Sequence, residues 1–150
     1  MKERTTIGPD LAKSVFQLHG VDADGTVVLR RQLRRAQMLV FFSRLPPCLI
    51  GMEACGGAHH WARELMRLGH DVRLIPPSYV KPFVRRGKTV SADAEAICTA
   101  VVQPSMRFVP VKTPERQAVL MRHRVRDFLV RQQTQLANAI RAHLGEFGIV

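Results

Sequence analysis

The order in which strand and helix patterns follow one another limits the fold of this chain more than any other feature. Three strand patterns come first, with a turn signal at Asp22–Gly25 between the second and the third. Helix and strand patterns then alternate, as in folds whose helices cover a partly parallel sheet. The order βββαβαβ therefore predicts an α/β fold with a mixed sheet. The predicted strands are 5–9, 14–21, 26–29 with the arginines that follow, 48–52 and 71–75, and the helices are 36–45 and 58–68.

A long helix is predicted at the end of the chain. Before it come a basic segment at 79–88, a helix at about 91–102 and a short extended piece at 108–111. From Pro114, in a favourable first helical position, no proline or glycine interrupts the pattern until Gly145. This pattern divides the chain into a domain at 1–112 and a long helix at 113–150.

The apolar residues of that helix recur mostly three or four positions apart, with arginines between them, which is a coiled-coil-like pattern. A helix of this length extends beyond a domain of about 110 residues, so we expect it to pair with a second copy of the chain. Folding back onto its own domain is the alternative. The apolar positions are Met121, Val125, Phe128, Leu129, Leu136, Ile140, Leu144 and Phe147.

The charge of the chain indicates a polyanionic partner. There are 23 Lys and Arg against 12 Asp and Glu, which gives a net charge of +11. Because basic side chains that neutralise phosphates release counterions, such an excess favours nucleic-acid binding. A basic protein that is merely soluble is the alternative.

The cysteines and the hydropathy indicate where the chain acts. Cys48, Cys55 and Cys98 are odd in number and lack paired spacing, so a reducing cytoplasm is expected. No apolar run approaches the roughly 20 residues that a membrane span needs, and no apolar signal core opens the chain. We therefore expect no membrane association.

Three carboxylates lie at the edges of hydrophobic elements. Asp10 and Glu53 each follow a short apolar run, and Asp93 stands in the first turn of a predicted helix. Three acids from separate elements of a basic chain predict a divalent-metal site that meets nucleic acid. Taken singly, Asp10 is also compatible with a solvated strand end, and Asp93 with a favourable charge at a helix start. Cys55, His59 and His60 could suggest a transition-metal site. The adjacent glycine turn and the start of a helix explain these residues better.

Three segments carry a resemblance to a known family: IGPDLAKSVFQLHGVDADG, LIGMEACGGAHHWARELMRLGHDVRLIPPSYVKPFVRRGK and SADAEAI. They resemble the N-terminal catalytic domain of DEDD-type transposases, bacterial insertion-sequence recombinases related to the Piv invertase. The resemblance implies a ribonuclease-H-like (RuvC-like) mixed sheet flanked by helices. It also implies DNA strand cleavage and exchange with Mg²⁺ or Mn²⁺ and, in characterised members, targeting by an element-encoded bridge RNA.

Asp10, Glu53 and Asp93 match the catalytic and metal-binding acids of that family. Asp93 matches the last acid of an Asp-x-x-Asp pair, but Val90 stands where the first should be. Glu95 lies about 200° around the helix from Asp93 and cannot replace the acid that is missing at position 90. We therefore expect weak metal binding.

Two further departures concern the first strand and the length. Pro9 stands directly before Asp10, although a central strand normally needs every backbone donor. Family members continue into a C-terminal domain that supplies a serine nucleophile, whereas this chain stops at Val150. A truncated or decayed copy is therefore expected.

Basic residues near the carboxylates are expected to contact nucleic acid. Arg85, Arg86 and Lys88 are predicted to bind the phosphate backbone. Lys13 has the same predicted role, or else balances the charge of Asp10. A further cluster is equally compatible with a solvated face: Arg30, Arg31, Arg34 and Arg35.

Three functions remain open at this point. The first is the catalytic domain of an insertion-sequence transposase. The second is a non-catalytic module that binds nucleic acid and dimerises. The third is half of an actin-like sugar kinase, which shares the fold and an early strand-end aspartate. No glycine-rich phosphate loop follows Asp10, which weighs against the third.

Overall fold

The computed structural model describes residues 5–84 and 90–149. The chain divides into two compact units, Met1–Val111 and Lys112–Val150. Within the described residues, the first unit contains five strands, four α-helices and two single turns of 3-10 helix, at Arg35–Gln37 and Lys81–Phe83. The strands are β1 (Thr6–Leu11), β2 (Val15–Val21), β3 (Val27–Arg34), β4 (Leu49–Glu53) and β5 (Asp71–Ile75); the helices are α1 (Met38–Ser43), α2 (Ala58–Arg67), α3 (Pro77–Val80) and α4 (Val90–Val101).

The strands form one mixed sheet in the order β3-β2-β1-β4-β5. β2 pairs antiparallel with both β1 and β3, whereas β4 pairs parallel with β1 and β5. The mixed sheet flanked by helices that the sequence predicts is therefore confirmed. β1 is the central strand.

Two strands are longer than their sequence patterns indicate. β1 continues to Leu11 and β3 to Arg34, although aspartate and arginine are not strong strand formers. The cause is the pairing with β2, in which Leu11 lies opposite Phe16 and Arg34 opposite Val15. Asp10 therefore lies within a strand rather than after one.

Alternation along the strands gives the sheet two different faces. On one face, a core cluster contains Ile7, Phe16 and Ile50 from the sheet, with Phe42 of α1 and Trp61 of α2. On the other face, a second cluster joins strand residues to the helix α4; its members are Leu49, Ile75, Val80, Ala96, Ile97, Ala100 and Val101. Below, this second face is called the α4 face.

Glycines allow α4 to lie directly on the sheet. A Cβ added at Gly8 would lie 2.6 Å from the carbonyl oxygen of Ala94 and 2.7 Å from the amide nitrogen of Cys98. A Cβ at Gly51 would lie 2.6 Å from the Cβ of Val101. The backbone of α4 therefore contacts β1 at a distance that a larger residue at position 8 would prevent.

Pro9 is accommodated in the central strand because its backbone nitrogen, which has no hydrogen to donate, is directed toward β4. The Thr5 carbonyl accepts a hydrogen bond from the Leu49 amide at 3.1 Å, so the odd-numbered residues of β1 direct their backbone groups toward β4. The β1–β4 pairing comprises two residue pairs, Thr6 with Leu49 and Ile7 with Ile50, whereas β1–β2 comprises six. The ladder toward β4 is thus short at the position where Pro9 cannot donate.

The second unit consists mainly of α5 (Pro114–Gly145), a helix of 32 residues and about 48 Å. Its start is capped by Thr113, whose hydroxyl accepts a hydrogen bond from the Arg116 amide, and Pro114 takes the first helical position. The predicted long helix is confirmed. None of the described helices is both long and apolar enough to cross a bilayer.

The contact at Gly8 makes a stability prediction. Gly8→Ala should destabilise the protein by about 1–3 kcal/mol or more, because the added methyl group meets backbone atoms of α4 that cannot rotate away. Denaturant unfolding monitored by circular dichroism measures the change. Gly56→Ala is the matched control, since a Cβ there meets nothing within 4 Å and should leave stability nearly unchanged. Equal unfolding midpoints for both variants would contradict the close contact.

Candidate metal and nucleic-acid site

Asp10 and Glu53 lie side by side at one end of the sheet. Asp10 shares the α4 face of β1 with Gly8, and Glu53 ends β4 on the face of Gly51. The parallel register pairs Thr6 with Leu49, so residues four positions further along are at the same level. Both side chains are half-buried. Two neighbouring strands thus present carboxylates at one edge.

Asp93 approaches this edge from the helix above it. It stands in the first turn of α4, next to Ala94, whose carbonyl packs on Gly8. Because Gly8 and Asp10 are two residues apart on the same face of β1, the contact at Gly8 also brings the start of α4 toward Asp10. The Asp93 side chain is exposed.

The charges of these three carboxylates affect one another. Burial raises the pKa of Asp10, and the negative charge of Asp93 raises it further, while a hydrogen bond with the Leu11 backbone lowers it. Burial likewise raises the pKa of Glu53, with additional contributions from Asp10 and Asp93. Mutual repulsion means that the ionised forms are disfavoured where they lie, and a cation placed among them would relieve this cost.

Glu95 acts on other groups. Burial lowers the pKa of His19, and the charge of Glu95 partly opposes this shift. Burial raises the pKa of Cys98 to about 11, and Glu95 adds a smaller contribution in the same direction. His19 is buried on β2 opposite Gly8. This placement agrees with the helical geometry that separates Glu95 from Asp93.

Cys55 lies next to the carboxylates. Its thiol is exposed, and its pKa is raised by partial burial and then by the charges of Glu53 and Asp10. His60 contacts the ring of Trp61 with centroids 5.2 Å apart, and Gly57, with φ of 87°, precedes α2. A raised pKa disfavours the thiolate, which is the form that binds metals.

The donor chemistry fits a hard divalent cation such as Mg²⁺, which prefers carboxylate oxygens and retains several waters. The geometry is open: across residues 5–84 and 90–149, no group of three or more His, Cys, Asp or Glu is arranged so that it could hold a metal ion. The described residues therefore show no preformed metal cage.

The basic residues expected to bind nucleic acid have different outcomes. Lys13 is exposed in the loop between β1 and β2, where its backbone carbonyl accepts a hydrogen bond from Arg35 at 3.4 Å. Arg85, Arg86 and Lys88 lie outside the described residues.

The arginine cluster in β3 and the 3-10 turn that follows it divides between the two faces of the sheet. The guanidinium carbon of Arg31 lies 5.3 Å from the centroid of the Phe41 ring, and that of Arg35 lies 5.1 Å from the Trp61 centroid. These two arginines cover aromatic core residues. Arg30 and Arg34 lie on the α4 face, in register with His19 and Val15. All four arginines are exposed, so a solvated cluster remains an alternative to nucleic-acid binding, but Arg31 and Arg35 also contact aromatic rings.

Two residues that position the site were not singled out from the sequence. Gly8 and Gly51 determine how closely α4 approaches, and their signal is a glycine inside a buried strand. The role of these glycines depends on which helix packs against them, and a local sequence pattern does not predict that helix.

The raised pKa values predict how stability depends on pH. A folded-state pKa above the unfolded value means that stability is fully present below the unfolded pKa and is lost as pH rises through the folded pKa. Without divalent ions, Asp10→Asn should therefore raise the melting temperature at neutral pH, and the gain should vanish in acid, where Asp10 is already protonated.

Thermal unfolding at several pH values, in a chelator, measures this effect. Asp24→Asn in the exposed turn after β2 is the control and should change little. If Asp10→Asn lowers the melting temperature at neutral pH, burial and the neighbouring charge of Asp93 do not disfavour the ionised form of Asp10 as described.

Known proteins resemble this chain over nearly its whole length. Residues 7–149 match the family model DEDD_Tnp_IS110, described as "Transposase". A "Probable family 20 transposase" of Pseudomonas aeruginosa is 62% identical over 96% of this chain and 43% of its own length. The transposase for insertion sequence element IS1328 of Yersinia enterocolitica is 46% identical over 99% of this chain and 45% of its own. The chain thus spans less than half the length of these relatives.

A solved structure shares the fold. The T. thermophilus RuvC in complex with Holliday junction substrate superposes with a TM-score of 0.54 at 13% identity, covering 71% of this chain and 99% of RuvC. A second structure of Thermus thermophilus RuvC gives a TM-score of 0.51. The RuvC-like fold that the family resemblance implies is confirmed, and with the family match over residues 7–149, this chain belongs to the DEDD transposase family.

Proposed function

We propose that this chain is the RuvC-like catalytic domain through which an insertion-sequence transposase cleaves and exchanges DNA strands. The observation that carries the proposal is the set of three carboxylates, from β1, β4 and α4, at one end of the sheet, where burial and the neighbouring carboxylates raise the pKa values of Asp10 and Glu53. Membership of the transposase family supplies the reaction class. Asp10, Glu53 and Asp93 are the proposed catalytic residues.

The proposed cofactor is Mg²⁺ or Mn²⁺, held by Asp10, Glu53 and Asp93. When bound, such an ion stabilises charge that develops on the phosphate during strand cleavage. The three carboxylates would bind the ion through their oxygens, with Asp10 and Glu53 half-buried and Asp93 exposed. Binding is proposed to be weak and to a single ion, because Val90 takes the place of a fourth acid.

The proposed partner is DNA, supported by the net charge of +11 and by the DNA junction bound to the RuvC neighbour. Lys13, Arg85, Arg86 and Lys88 are the proposed contacts to its backbone. A guide RNA, as the family resemblance implies, is a further proposed partner. The free thiols of Cys48, Cys55 and Cys98 favour a reducing cytoplasm as the place of action.

A second candidate function is a non-catalytic module that binds nucleic acid and dimerises. The open geometry of the carboxylates favours it, because the described residues hold no group of three or more arranged to bind a metal. The two candidates differ in whether metal binding depends on Asp10.

Calorimetric titration with Mn²⁺ distinguishes the two functions. The parent chain should bind Mn²⁺ weakly, and Val90→Asp should bind more tightly, because it adds a carboxylate three residues before Asp93 in α4. Asp10→Ala should lose most of the binding.

Asp22→Ala is the control for the loss of an acid outside the proposed site, since Asp22 lies in the turn between β2 and β3. It should bind Mn²⁺ like the parent. If Val90→Asp leaves the affinity unchanged, or if Asp10→Ala binds as well as the parent, the proposed carboxylate site is wrong and the non-catalytic module is favoured.

The long helix predicts self-association. Along α5, apolar residues from Val119 to Leu144 are exposed, with Phe128 at 53% and Leu136 at 64% exposure. Burial of such a stripe against a second copy would stabilise both helices. Light scattering should give a dimer or a larger assembly, and Leu129→Glu with Leu136→Glu should shift it toward monomer. A parent chain that is monomeric at micromolar concentrations, with α5 helical, would exclude this assembly.

A further inference from the structure

A row of polar side chains crosses the sheet from Asp10 on the central strand β1 to the edge strand β3. Asp10 on β1 lies opposite Gln17 on β2, and Gln17 lies opposite Gln32 on β3. Directly opposite residues in antiparallel strands project from the same face, so all three lie on the α4 face. The row ends at β3, which is the edge strand.

Helix α4 leaves this row uncovered. Its backbone contacts β1 at Gly8, and the Cys98 thiol donates to the Thr6 carbonyl at 3.4 Å, so the helix extends away from Asp10. Burial follows the same division: His19, opposite Gly8, is 4% exposed, whereas Gln17 is half-buried and Gln32 is exposed. A cavity of about 190 Å³ lies along the β2–β3 part of the row, and its lining residues are Gln17, Leu18, His19, Arg30, Arg31 and Gln32.

Two arginines flank the end of the row. Arg30 and Arg34 precede and follow Gln32 by two residues on β3, so they share its face and are exposed. Arg30 is close enough to His19 for its charge to act on that ring. In the part of the chain that the structure describes, neither arginine forms an ion pair with an acid. Arg31 and Arg35, by contrast, are used in covering Phe41 and Trp61.

The dimensions suit one nucleic-acid strand. Neighbouring strands are about 4.8 Å apart, so the row from Asp10 to Gln32 covers about 10 Å. Arg30 and Arg34 are about 13 Å apart along β3, far enough to meet different phosphates of one backbone. The end of the row at Gln32, which the two arginines flank, therefore lies about 10 Å from Asp10.

We propose that this row, with Arg30 and Arg34, binds the phosphodiester backbone of the DNA strand that enters the carboxylate site. Guanidinium groups bind phosphate oxygens bidentately, and glutamine amides donate to phosphate and sugar oxygens. The two arginines hold the strand at the edge of the sheet, and Gln32 and Gln17 direct it toward Asp10. The inference deepens the proposed function and rests on it for the identity of the strand as substrate.

A pair of charge-matched double variants tests the proposal. Arg30→Gln with Arg34→Gln removes two charges from the α4 face, and Arg31→Gln with Arg35→Gln removes two charges from the same segment on the opposite face. Binding of a short fluorescent single-stranded DNA is measured in a chelator as a function of salt. Circular dichroism verifies that each variant is folded.

Loss of two phosphate contacts should make the log–log salt slope shallower by about 1.4 for the Arg30/Arg34 variant. The Arg31/Arg35 variant should keep the slope of the parent. Equal slopes in the two variants, or a larger loss in the Arg31/Arg35 variant, would overturn the proposal.

A photocrosslinker placed by Gln32→Cys, in a Cys55→Ser background, tests the path of the strand. It should crosslink to the DNA, whereas the same group at Val27→Cys, at the far end of β3, should crosslink much less. Equal crosslinking at both positions would show that the DNA does not follow the row.

DNA binding measured in a chelator and the Mn²⁺ titration test the two proposals independently. If the Arg30/Arg34 variant loses binding while Mn²⁺ titration shows no site at Asp10, the DNA-binding row stands and the metal proposal fails. If Mn²⁺ binds at Asp10 and the salt slopes are equal, the metal site stands and the row fails.

Discussion

The backbone contact between α4 and β1 at Gly8 is the constraint on which the rest of the site depends. Because position 8 has no side chain, the Ala94 carbonyl and the Cys98 amide reach the central strand directly. The same contact determines two further features of the α4 face. It brings Asp93 toward Asp10 and Glu53, where burial and then the charge of Asp93 raise the pKa values of both groups, and it leaves the sheet open from Asp10 toward β3. One close approach thus creates both the cluster of negative charge and the exposed surface next to it.

The ionised form of the carboxylate cluster works against folding, which agrees with the metal site that we propose there. Two half-buried acids and an exposed third repel one another in a chain whose other charge is strongly positive. Groups that burial and like charges perturb in this way are characteristic of sites that bind metals or catalyse reactions. Pro9 adds to this local departure from ideal strand structure, since it shortens the ladder between β1 and β4 directly beside the two strand carboxylates.

The arginines of β3 show how one short segment serves two purposes. Arg30, Arg31, Arg34 and Arg35 look alike in sequence, but strand alternation sends Arg31 to the core face and Arg30 and Arg34 to the α4 face. Arg31 and Arg35 stack on aromatic rings that would otherwise be more exposed to water. Arg30 and Arg34 are exposed on the α4 face and are the two arginines that we propose bind DNA. A count of basic residues would not have separated them.

The sequence by itself determined the order of the elements, the mixed sheet and the long C-terminal helix. Local rules suffice for these: alternating side chains define strands, Gly and Pro end elements, and Thr113 with Pro114 begins α5. The tertiary structure alone decided where β1 and β3 end, because pairing with β2 outweighs the weak strand preference of Asp10 and Arg34. It also decided how closely α4 approaches Gly8, and which arginines cover the core. These features depend on contacts between residues far apart in the chain, and no local propensity contains them.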